Sequence, residues 1–95
     1  MNIDQFKETL KENSPPSVSK ELEALWYDAN GDWDTAHKIV QDIPTLEAAW
    51  VHAYLHRKEG DEGNAGYWYR RAGKPICNKS LNDEWNTITN LLLNY

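Results

Sequence analysis

The sequence predicts an all-α protein of about six helices. Apolar residues recur at helical spacing in successive windows, Ser, Thr and Asp caps alternate with Gly and Pro stops, and no segment alternates with period two over four or more residues. In the first window, 3–12, Ile3, Phe6 and Leu10 fall at i, i+3 and i+7 on one face, and Pro15 and Pro16 end the helix because they cannot donate to its ladder. Ser17 or Ser19 then caps a helix over roughly 18–30, with Val18, Leu22, Leu25 and Trp26 on one face and Asn30-Gly31 as its stop. Asp32 caps a short helix to about Gln41 that carries Trp33, Ala36, Ile39 and Val40, and Pro44 breaks it.

Thr45 opens the fourth helix, along whose side run Leu46, Ala49, Trp50, Ala53, Tyr54 and Arg57, and Gly60 closes it. A fifth helix starts at Asp61 and ends near Ala72, before Gly73 and Pro75. Ser80 with Asp83 resembles a capping box, with Asp in place of Glu, for a last helix over about 81–94 that aligns Leu81, Trp85, Ile88 and Leu92.

Ninety-five residues make one domain, 1–95, too small for a deep core around a large enclosed cavity. Fifteen acidic against ten basic residues give a net charge of −5, which argues against a nucleic-acid-coating role. No apolar run reaches the roughly 20 residues of a membrane span, and the N-terminus lacks the basic flank of a signal peptide. Cys77 is the single cysteine and cannot form an internal disulfide, so the expected location is a reducing cytoplasm. Five Trp and five Tyr stand against one Phe, a composition suited to shallow cores and to binding surfaces.

Two blocks repeat at an offset of 29: Ala24 with Ala53, Gly31-Asp32 with Gly60-Asp61, and Ala36 with Ala65. Small residues recur where paired helices approach closely, and Gly-Asp supplies a stop followed by a cap. On these positions, together with Tyr69-Arg70-Arg71-Ala72, the chain over about 20–75 resembles the tetratricopeptide-repeat superfamily, including its Sel-type relatives. The resemblance implies two helical hairpins, about 18–42 and 46–72, flanked by capping helices, with the last at about 81–94. The offset of 29 is shorter than that family's period of about 34. The stretch 49–61, with 67–73, also resembles a group of small uncharacterised bacterial proteins, which implies a bacterial cytoplasmic protein and supplies no activity.

Residues 1–44 carry nine acidic and four basic groups, whereas residues 45–79 carry four acidic and six basic, including all three arginines. Trp50, Tyr54 and Arg57 share a helix face, and in a stacked array this stripe would line the concave, peptide-holding surface. Trp50, Tyr54 and Arg57, flanked by Arg70 and Arg71, are therefore the candidate partner-binding residues. They would suit a protein or peptide with an acidic or C-terminal carboxylate group, or a second copy of the chain. On that reading Arg57→Ala weakens partner binding and leaves the melting temperature nearly unchanged.

His52 and His56, at i and i+4, are close enough for both imidazoles to hold one metal ion. No third ligand is evident beside them; Cys77, His37 and Glu59 are candidates. In the repeat reading both histidines instead pack against the partner helix and bond Tyr69 or backbone. The chain has neither a G-x-S-x-G nucleophile motif nor a phosphate-binding loop, and Cys77 has no base beside it. The first functional expectation is thus a small protein-interaction module without cofactor, nucleic acid or membrane partner. The second is a small-ligand, metal or enzymatic site built from His52, His56, Arg57, Tyr69 and Arg70.

Overall fold

Five of the six helices begin on a residue that the sequence marks as a cap. In the computed structural model, which describes residues 1–95, the side-chain oxygens of Ser19, Asp32, Thr45, Asp61 and Ser80 accept the backbone N–H groups of Leu22, Thr35, Ala48, Asn64 and Asp83. These open α2 (Lys20–Ala29), α3 (Trp33–Val40), α4 (Leu46–Glu59), α5 (Glu62–Ala72) and α6 (Leu81–Leu93). α1 (Ile3–Glu8) starts instead on Asn2, which forms a reciprocal capping box with Gln5. Gly60 and Gly73 end α4 and α5 with φ of 91° and 69°, left-handed values that strain any residue with a Cβ. The chain is all-helical, with no strand and no helix long and apolar enough to cross a membrane.

The first helix is shorter than its apolar spacing predicts. After Glu8 it tightens into a 3-10 turn over Thr9–Lys11, where the Thr9 hydroxyl donates to the Phe6 carbonyl and the Trp26 indole donates to the Thr9 carbonyl. The Thr9 carbonyl thus accepts both the Glu12 amide that closes this turn and the indole from α2.

α2 packs with α3, and α4 with α5, as two helical hairpins; α6 lies on α2 and α4 and also touches α1. The main core forms where these elements meet, around Phe6, Leu25, Val51, Leu55, Trp85 and Ile88. Each such side chain contributes roughly 1.5–3 kcal/mol by leaving water. The repeated positions take equivalent roles: Ala24, Ala36 and Ala53 are fully buried, Ala65 nearly so, and Asp32 and Asp61 are both caps.

The preference for Trp over Phe has a structural cause. The indole N–H groups of Trp26, Trp33 and Trp85 donate to the carbonyls of Thr9, Leu55 and Leu25, and that of Trp50 donates to Glu84. Each bond joins separate elements and satisfies a polar group that burial would otherwise penalise.

Within the second hairpin, Ala53, Ala65 and Tyr69 form a smaller cluster of their own. Ala53→Leu is expected to destabilise the protein by roughly 1–3 kcal/mol, because the added methylenes would wedge α4 from α5. Thermal melting checks this; a wild-type-like Tm would mean that the hairpin has slack at this position.

Candidate metal centre

α4 presents His52 and His56 one turn apart, with imidazole centroids 4.9 Å apart and ring planes 25° from parallel. The missing third imidazole comes from the preceding hairpin. His37, in the last turn of α3, brings its Nε2 to 3.0 Å from His52 Nε2, and its ring lies 5.1 Å from that of His56. One ligating nitrogen from each of the three lies within 4.8 Å of the other two. His52 and His56 are buried and His37 is half-buried.

Two tryptophans hold the cluster in place. Trp33, one turn before His37, stacks on it at 4.9 Å and meets the His56 ring edge-on, while its indole N–H anchors α3 to the Leu55 carbonyl. Trp68 of α5 stacks on His52 with centroids 3.9 Å apart.

The hydrogen bonds place a proton on one of the three rings. His56 Nδ1 lies 2.7 Å from Glu59 Oε2, and since a carboxylate only accepts, Nδ1 carries the proton of that bond. This is the carboxylate–histidine arrangement that orients imidazole ligands in metal sites. His37 and His52 share a single proton along their N···N contact, so one of these two nitrogens is a free base. His52 Nδ1 is buried with no partner at all.

No carboxylate contacts His52. Burial, with His37 and His56 beside it, lowers its pKa from 6.5 to about 4. Burial and His56 also depress His37, against weaker opposing effects of Glu59 and Asp34. At neutral pH the His37–His52 pair is thus uncharged, so protons compete little for its nitrogens. Neutral imidazole suits Zn(II), Co(II), Ni(II) and Cu(II), whereas Mg(II) and Ca(II) require oxygen donors. Asp61, also near His56, is occupied elsewhere: its two carboxylate oxygens accept the Asn64 backbone and side-chain N–H groups at the start of α5.

The structure separates the remaining candidates from this cluster. Tyr69 does not bond His52 or His56; its hydroxyl lies 2.8 and 2.6 Å from the two carboxylate oxygens of Glu84. Arg57 donates to the same carboxylate at 2.9 Å and also to the Lys79 carbonyl. His52, His56, Arg57, Tyr69 and Arg70 therefore do not form one site: the histidines gather with His37, Arg57 and Tyr69 gather on Glu84, and Arg70 is exposed.

The proposed concave stripe is likewise not an open surface. Trp50 and Arg57 are bonded to Glu84 of α6, and Tyr54 is buried with its hydroxyl on Asp28 of α2, which also receives Lys58. Arg71 is exposed and lies over the rings of Tyr67 and Trp68. α6 closes over this side of α4 because Trp85 and Ile88 need burial on the same face that carries Glu84.

Glu84 does not stand out among the acidic residues of the sequence, and His37 is there one of three candidate companions for His52 and His56. Both had a legible signal, since each is a polar residue on an apolar helical stripe: Trp33, Ala36, His37 and Val40 in α3, and Leu81, Glu84, Trp85 and Ile88 in α6. No family model matches the chain, and no curated protein or solved structure matches it either.

Proposed function

We propose that this protein binds one divalent transition-metal ion through His37, His52 and His56. The observation that carries the reading is the convergence of three imidazoles from two hairpins, their ligating nitrogens all within 4.8 Å of one another. The arrangement would supply three nitrogen donors, with Glu59 orienting His56 from outside the coordination shell. Zinc holds imidazole nitrogens at about 2.0–2.1 Å, so binding would draw in three nitrogens that already lie within 4.8 Å of one another. The unpartnered Nδ1 of buried His52 adds a polar atom that the protein itself leaves unsatisfied.

A protein-interaction role lacks a surface of comparable definition, because Trp50, Tyr54 and Arg57 are engaged inside the molecule.

Calorimetric titration of chelator-treated protein with Zn(II) and Co(II) tests the proposal. One saturable equivalent is expected, with a Co(II) absorption spectrum of nitrogen coordination. His37→Ala should weaken the affinity by about tenfold or more, since one of three donors is lost. Absence of a saturable one-to-one event with either ion would overturn it.

A further inference from the structure

We infer that the bound ion is a cross-link between the two helical hairpins, so that metal occupancy sets how firmly α3 is held against α4. The inference rests on the metal-binding reading above and goes on to what the ion does. His37 belongs to the first hairpin, His52 and His56 to the second, and the chain between them, residues 41–45, has no helix of its own. α3 touches α4 far less extensively than it touches α2 within its own hairpin. At this junction the polar contacts are few: the Trp33 indole on the Leu55 carbonyl, and the His37–His52 pair. An ion held by all three imidazoles would replace a single shared proton with coordinate bonds spanning both hairpins.

A catalytic use of the ion fits the surroundings less well. Three protein ligands leave a position open to water, but none of the five principal grooves is lined by His37, His52 or His56. Trp33 and Trp68 instead cover the faces of His37 and His52. Both tryptophans belong to helices that pack on α4 or on its hairpin, so the surroundings couple the ion to helix packing.

Linkage gives the size of the effect. A ligand that binds only the folded state stabilises it by RT times the logarithm of one plus the ratio of free ligand to Kd, and at a free concentration a hundredfold above Kd this raises Tm by roughly 10 °C or more in a domain of this size.

The experiment pairs Zn(II) titration of the full chain with thermal melting and with hydrogen exchange of the backbone amides of 33–40. The expected result is one equivalent of Zn(II), a raised Tm, and slowed exchange in α3. His37→Ala retains the His52–His56 pair on α4 and should bind Zn(II) more weakly. In that variant most of the Tm increment and all of the α3 protection should disappear. The wild-type exchange measurement stands by itself should the variant fold poorly. If Zn(II) binds with one-to-one stoichiometry and α3 exchange does not change, the cross-link is wrong and the metal site stands. If Zn(II) does not bind, the site itself is wrong and the cross-link falls with it.

Discussion

Glu84→Leu is expected to remove about 3–5 kcal/mol of folding stability, a large share of what a domain of this size possesses. The Glu84 side chain is 2% exposed and accepts from three residues on two other helices: Arg57 and Trp50 of α4, and Tyr69 of α5. Leucine fills similar space but accepts nothing. It would take the carboxylate from a part-exposed guanidinium and leave the part-buried indole N–H and the buried phenol without their acceptor, and a buried group so stranded bears its desolvation penalty. Burial and this carboxylate hold the Tyr69 phenol protonated, well above its usual range, which keeps it a donor to Glu84.

Arg57→Ala is expected to be destabilising as well, because it strips the charged partner from a buried carboxylate while two neutral donors remain. This replaces the nearly unchanged melting temperature that an exposed, partner-binding arginine would give. Glu84→Gln, which keeps the shape and one acceptor, should fall between Glu84→Leu and wild type. Urea denaturation at pH 7 measures all three, and a Glu84→Leu variant within about 1 kcal/mol of wild type would show that the network contributes little.

Glu84 also shows where reading a linear sequence stops. The helix starts were legible because a cap is a local event: Ser19, Asp32, Thr45, Asp61 and Ser80 each bond an amide three residues on. The repeat was legible for the same reason, since Gly31-Asp32 and Gly60-Asp61 each encode a stop and a start within two residues. The end of α1 was less so, because the turn at Thr9 is fastened in part by an indole 17 positions away. The partner of the Trp50–Arg57 stripe was not. Periodicity shows that these residues share a face, but only the placement of α6 decides whether that face meets solvent or Glu84.

The histidine cluster lay between these cases. The His52–His56 pair follows from helix geometry alone. The choice of His37 over Cys77 or Glu59 as their companion depends on the angle between hairpins, and no local pattern contains that angle. A histidine on the buried stripe beside Trp33 was the available sign, since an imidazole placed there needs a partner from another element.

The metal-free protein is expected to lose about 3 kcal/mol of stability as pH falls from 6.5 to about 4, a window set by His52. In the folded state its imidazole is 4% exposed and faced by His37 from α3, His56 from its own helix and the Trp68 ring from α5. None of these is an anion that could stabilise a positive charge. The folded protein therefore resists protonating His52 until about pH 4, whereas the unfolded chain accepts that proton near 6.5. Between those values the unfolded state binds more protons, so lowering the pH favours unfolding, and the loss saturates once both states are protonated. His37 is shifted in the same direction and steepens the slope. Asp32 and Asp61, whose pKa values are lowered by their cap hydrogen bonds, give up their contributions only as pH falls through still more acidic values, so they do not mimic this window.

Urea denaturation in chelator at pH 7, 5.5 and 4.5 measures the slope, and His52→Gln, which cannot titrate there, should flatten most of it. A wild-type stability constant from pH 7 to 4.5 would mean that His52 reaches solvent or finds a proton acceptor on opening. Metal should steepen the same dependence, because an imidazole that takes a proton on its ligating nitrogen can no longer coordinate, and zinc-loaded protein would lose its ion and its extra stability together as the cluster charges.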